Sequence, residues 1–114
     1  MIRIHHKELT AERWRALSFY EQMAHIGSEV SRAINWRRKN TESCRLAAER
    51  ALELLDLTLE TSVGSPARLK ELARLREVLA DDFFFANEYG SRDELWKSYF
   101  DAFAYAARNP LARV

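Results

Sequence analysis

In the segment SFYEQMAHIGSEVSRAINWRRKN (residues 18–40), Glu21, His25 and Glu29 stand four residues apart and Arg32 follows three later. On a helix of 3.6 residues per turn these steps put all four on one face. Carboxylates and imidazoles projecting from bundle helices are the ligand types of di-iron and zinc centres. Carboxylate-bridged bundles, however, repeat a Glu-x-x-His pair on two helices. Here the spacing is Glu-x-x-x-His and occurs once, and His5 and His6 lie in a separate N-terminal segment. A ladder of charges with a Glu29–Arg32 ion pair, worth about 0.2–0.5 kcal/mol, accounts for the pattern. No metal and no cofactor is therefore expected, and His25 is expected at the surface. Glu29 and Arg32 remain as candidate binding residues.

Further along, Glu49, Glu53, Asp56 and Glu60 make an acidic strip at helical spacing. Like charges four residues apart repel, so the strip should face cations such as Arg32, Arg68, Arg74 and Arg76 on neighbouring helices. Asp56, between Leu55 and Leu57, is the member expected to be partly buried and to need an arginine. Were Glu29 and Arg32 to line a pocket, Glu53 or Asp56 would be the acid that completes it.

Two further features concern close approach rather than chemistry. Ala24, Gly27, Ser28 and Ser31 form a small-residue stripe. A mid-helix glycine costs about 1 kcal/mol relative to alanine, so a bulky aromatic, another backbone or a second subunit should come close at Gly27. The second is the aromatic block Phe83-Phe84-Phe85, Tyr89, Trp96, Tyr99, Phe100, Phe103 and Tyr105. Successive helical residues are about 100° apart, so one face cannot bury three consecutive phenylalanines. At least one must meet the N-terminal arm, the 87–90 loop or another subunit. Gly27, Phe84, Phe85, Tyr89 and Trp96 are thus the candidate interface residues. Trp36 beside Arg37, Arg38 and Lys39 joins a ring to three cations, a combination able to bind phosphate and stack a base. A helix C-terminus carries the negative end of the dipole, so compensation of that dipole is the expected role.

These groups need elements to position them. Three glycines and two prolines in 114 residues suit long helices with short connections. The first nine residues alternate weakly as an extended arm, and Thr10 caps a short helix over residues 11–17. Ser18 and Glu21 form a capping box, and Phe19, Met23, Ile26, Val30, Ala33 and Ile34 give one buried face. Asn40 is expected as a left-handed stop. Thr41 begins a second long helix, apolar over most of its girth and therefore central. Ser65 with Pro66 starts a third, fading near residues 87–90. Ser91 and Glu94 make a second capping box for the last helix, which Pro110 ends. Four helices of about 16–22 residues with loops of about 2–6 favour antiparallel neighbours. The expected architecture is a single all-α domain, an up-down-up-down antiparallel four-helix bundle. Residues 1–17 would be arm and short helix, 18–108 the four long helices, and 109–114 a tail.

The phrases EQMAHIGSEVSRAINW, RALELLDLTLE, RLKELARLREVLADDFF and WKSYFDAFAYAAR, within residues 18–107, resemble a family of small helical proteins of unknown function from bacteria and archaea. That resemblance implies a helical fold and lends no activity. More distantly, the layout is similar to the HEPN four-helix superfamily, whose nuclease members carry an arginine followed five residues later by a histidine. The fifth residue after Arg32 is Arg37 and after Arg108 is Arg113, so this resemblance implies the layout without the nuclease motif.

Composition bounds the function classes. With 47% hydrophobic and 31% charged residues the chain reads as globular. Eighteen basic residues against seventeen acidic give a net charge of +1, which argues against a nucleic-acid partner. No apolar run approaches the roughly 18 residues needed to span a bilayer, residues 1–6 do not resemble a signal peptide, and Cys44 is the only cysteine. A cytoplasmic protein with no membrane association is expected. Neither a glycine-rich phosphate loop nor a nucleophile elbow is present. The expected function is that of a small non-enzymatic helical bundle acting through its aromatic C-terminal half, as a homo-oligomer (a dimer) or with a protein partner. The alternative is a HEPN-like RNA- or nucleotide-binding module, or a hydrolase, with a polar pocket near Glu29, Arg32 and Asp56.

Overall fold

The computed structural model describes residues 11–112. All regular structure in that span is helical: α1 (Ala11–Arg15), α2 (Phe19–Trp36), α3 (Thr41–Thr61), α4 (Pro66–Phe84), α5 (Asp93–Arg108) and a 3-10 turn (Pro110–Ala112). The extended arm, the Thr10 cap and the last two residues of the tail fall outside the described residues.

Local chemistry accounts for most of the boundaries. At the start of α2 the Glu21 N–H donates to Ser18 Oγ at 3.1 Å, and the Ser18 N–H donates to Glu21 Oε1 at 2.8 Å. This is the expected capping box, satisfying two of the helix's otherwise orphan donors. Ser65 accepts from the Arg68 N–H at 3.4 Å with Pro66 at the first helical position, also as expected. Asn40 behaves differently from expectation. Its backbone is extended (φ −154°) and its side chain accepts from the Ser43 N–H at 2.9 Å. Asn40 therefore opens α3 rather than ending α2. α2 stops at Trp36, so Arg37 is its C-cap and Arg38 and Lys39 fall in the connecting turn.

The second expected capping box is absent. The Ser91 N–H donates to Asn87 Oδ1 at 2.8 Å, and the Ser91 carbonyl accepts from Asn87 Nδ2 at 3.0 Å. Ser91 is thus held by the loop, and Arg92 takes the N-cap of α5 without a side-chain hydrogen bond. Asp93 and Glu94 in the first turn still offset the positive end of the dipole. The loop before α5 is itself ordered by α4. The Asp81 carboxylate accepts from the Glu88 and Tyr89 N–H groups, both at 3.0 Å, while Asn87 adopts φ 54° and Gly90 φ 68°.

The core lies between α2 and its neighbours. α2 packs on both α3 and α5, and α3 in turn carries α1 and α4. Met23, Ile26, Leu55 and Leu72 are wholly buried. α4 and α5 approach mainly through long side chains, with the Tyr99 hydroxyl donating to Glu71 and the Trp96 indole to Asp82. Trp14 from α1 is fully buried, its indole Nε1 donating to Thr58 Oγ1 at 2.9 Å, and Gln22 Nε2 donates to the Trp14 carbonyl at 2.9 Å. Pairing the indole N–H and the buried amide removes the cost of burying them.

Gly27 shows the close approach that its position demands. A Cβ there would stand 2.7 Å from Phe100 Cβ and 2.9 Å from Phe100 Cγ, so the α5 aromatic sits directly on the α2 backbone. Gly27→Leu should lower stability by about 2–3 kcal/mol through overpacking. Urea unfolding measures this, and an unchanged midpoint would contradict the packing described.

Candidate functional site

The expected polar site separates into two ion-pair systems. Glu29 is buried, its side chain only 8% exposed, and its Oε1 lies 3.3 Å from Arg32 Nη1 and 3.7 Å from Arg50 Nη1. Arg32 itself is exposed. Asp56 is half-exposed and meets Arg76 of α4, with Nε 2.6 Å from Oδ1 and Nη2 3.3 Å from Oδ2. The arginine partner that Asp56 demanded is therefore present, but on the α3–α4 side. Glu53 is half-buried. Glu29 and Asp56 thus use different arginines, and neither they nor Arg32 and Glu53 line the three cavities described below. His25 is exposed, with its ring 5.7 Å from Trp14. Among the described residues, no group of three or more His, Cys, Asp or Glu side chains is placed to hold a metal ion, and no helix is long and apolar enough to cross a membrane.

The aromatic candidates are distributed unevenly. Gly27 and Trp96 face inward and are buried, and Phe84 packs half-buried on Ala33, Ala47 and Ala48. Phe85 is 77% exposed and Tyr89 48% exposed. The three consecutive phenylalanines are therefore split between the protein and solvent, as the 100° step requires.

Sequence reasoning missed the most connected polar cluster. Arg37, at the C-cap of α2, grips Asp82 in the last turn of α4 with two hydrogen bonds, Nη1–Oδ1 at 3.3 Å and Nη2–Oδ2 at 3.2 Å. The same Nη2 is 3.3 Å from Asp93 Oδ1 in the first turn of α5. Trp96 Nε1 donates to Asp82 Oδ2 at 2.7 Å, and the guanidinium lies 4.2 Å over the Phe83 ring. The Asp82 side chain is only 4% exposed, so its charge depends on these partners. The signal was present in the sequence as Asp81-Asp82 before a phenylalanine run. Adjacent helical residues point about 100° apart, so one acid ties the loop and the other ties Arg37.

Between α4 and α5 lies an apolar cleft of about 340 Å³ lined by Leu75, Val78, Leu95, Trp96 and Tyr99, with Glu71, Arg74 and Ser91 at its edges. Leu95 is 53% exposed. The Tyr99 hydroxyl donates to Glu71 Oε2 at 2.8 Å. Burial, followed by that carboxylate, holds the phenol proton well above the ordinary tyrosine range. The guanidinium of Arg74, one of the cleft residues, lies 5.3 Å from the Tyr89 ring. A smaller cavity of about 170 Å³ lies on the α2–α5 side by Ser28, Ser31 and Phe100, and a polar one of about 350 Å³ surrounds Arg37, Asn87 and Asp93. Cys44 lies elsewhere, half-buried against the α2–α3 alanines, and burial pushes its thiol up. The α4–α5 cleft is lined mainly by apolar side chains, with Glu71, Arg74, Ser91 and the Tyr99 hydroxyl as its polar groups.

Comparison with protein-family models, with curated proteins and with solved structures finds no match.

Two measurements check this geometry. Asp82→Ala should cost about 1–3 kcal/mol, because it removes the acceptor of two Arg37 hydrogen bonds and of the buried Trp96 indole. Adding Arg37→Met should recover part of that loss in urea unfolding. An Asp82→Ala protein as stable as the parent would contradict the clamp. The raised Tyr99 pKa predicts a contribution to stability that is complete below about pH 10 and is lost as the pH rises further. Ultraviolet titration should show a late-ionising phenol that disappears in Tyr99→Phe, and its persistence there would contradict the assignment.

Proposed function

We propose that the chain is a non-enzymatic up-down-up-down antiparallel four-helix bundle that acts by association through its α4–α5 face, with a second copy or a protein partner. The bundle reading is supported by cross-helix pairs. Gln22–Thr61 and Glu29–Arg50 run in opposite senses along α2 and α3. Phe19–Phe103 and Arg37–Asp93 do the same along α2 and α5.

The observation that carries the association reading is the open apolar cleft, with half-exposed Leu95 in its lining and exposed Phe85 and Tyr89 in the segment between α4 and α5. Each square ångström of apolar surface left wet forgoes about 25 cal/mol of burial, and contiguous patches of this kind mark interaction surfaces. The near-neutral net charge of +1 suits a protein partner better than a polyanion. The HEPN-like alternative needs Glu29, Arg32 and Asp56 to converge, and the separate arginine partners of Glu29 and Asp56 do not favour it.

Purification of the protein from its native cells, followed by mass spectrometry and mass determination in solution, tests this reading. It predicts either twice the 13.3 kDa chain mass or a stoichiometric protein partner. Leu95→Glu should weaken that association about tenfold or more while leaving the fold intact. A chain recovered alone and monomeric would overturn the reading.

A further inference from the structure

The solvent side of α5 carries a second pattern beyond the core-facing one. Leu95, Ser98, Ala102 and Tyr105 recur at steps of three, four and three residues, and none is charged. Leu95 is 53% and Tyr105 55% exposed, and Ser98 and Ala102 are exposed with them. A surface helix normally turns charges outward. Here the exposed charges Glu94, Lys97, Asp101 and Arg108 gather on one flank of that seam. Alternating three and four is the spacing at which one helix seats against another.

We propose that a second copy of this chain docks on this seam, α5 antiparallel to α5, about a two-fold axis at the level of Phe100. The proposal rests on the association reading above and names its partner and register. Leu95 and Tyr105 lie five residues either side of that level, and Ser98 and Ala102 lie two either side. Two-fold pairing therefore sets large against large at the ends and small against small at the centre, where the backbones come closest. An isologous contact of this kind closes on itself as a dimer.

The charges select the direction. Antiparallel helices bring like flanks together, so the charged flank meets its own reverse. Lys97 and Asp101 are centred one residue before the axis, and Glu94 and Arg108 one residue after it. Each charge therefore lies two residues, a rise of about 3 Å, from its opposite number, within reach of long side chains. Lys97 then faces Asp101 of the partner subunit, and Glu94 faces Arg108 of the partner subunit. In a parallel pair the two charged flanks would lie on opposite sides of the seam, and these pairs would not form. The seam also adjoins the α4–α5 cleft through Leu95, which lines it, so the buried area extends beyond one helix stripe.

A charge-swap experiment on the full chain tests this, with circular dichroism to confirm that each variant is folded. The parent should be a dimer by light scattering. Lys97→Glu alone and Asp101→Lys alone should each dissociate about tenfold more readily, because each sets two like-charge pairs across the axis. Mixing the two variants should give a heterodimer as stable as the parent, since every pair is then opposite in sign. A dimeric parent whose variants dimerise unchanged, or whose mixture gives no heterodimer, overturns the α5 register while leaving association through another surface standing. A monomeric parent overturns the proposal outright, and the co-purification experiment then decides separately whether another protein is the partner.

Discussion

The arrangement depends on one buried carboxylate. Asp82 is almost fully removed from water, and an uncompensated charge there would cost several kcal/mol. It is tolerated because Arg37 supplies two hydrogen bonds and the Trp96 indole a third. Arg37 caps α2, Asp82 lies in α4 and Trp96 in α5, so one charge balance fixes where three helices meet. Asp93 adds its carboxylate to the same arginine and ties the start of α5 to the end of α2. At the other end, Gly27 lets Phe100 rest on the α2 backbone. α5 is therefore held by a polar clamp near its start and a steric fit near its middle.

This anchoring explains why the α4–α5 side stays open. α5 takes its position from α2, while α4 takes its own from α3. Side-chain contacts at Glu71–Tyr99 and Asp82–Trp96 bridge the two without closing the space between them. What remains is an apolar cleft bordered by Leu95, and beyond it an uncharged outer seam on α5. A helix secured on one side is free to use its other side for a partner. The stability of the chain and the shape of its proposed contact surface thus come from the same placement of α5.

Much of this was legible in local sequence, and the rest was not for identifiable reasons. Ser18 with Glu21, and Ser65 with Pro66, specify helix starts by interactions within four residues, so they could be read directly. Gly27 announced a close approach, but the approaching Phe100 is far along the chain and unmarked by pattern. Asn40 was misread because asparagine serves both as a left-handed stop and as an N-cap, and only the backbone chooses. Ser91 and Glu94 had the spacing of a capping box, yet the Asn87 side chain captured Ser91 first. The Arg37–Asp82 pair spans 45 positions, and Arg37 had a sufficient local explanation in the helix dipole, while no local pattern assigned Asp82 a partner. The Glu29–Arg32 pair lies within one helix and could be read directly, whereas the added Arg50 contact of Glu29 and the choice of Arg76 by Asp56 depend on how the helices are rotated.

The central claim is that the outward side of α5, held in place from behind by Arg37, Asp82 and Gly27, binds a second copy of this chain rather than standing as a wet helix face. Sedimentation equilibrium of the unmodified chain over a wide concentration range tests it most directly. The account predicts that the mass rises from 13.3 kDa to twice that value as concentration increases, with a single association step. A mass that stays at one chain throughout would contradict it.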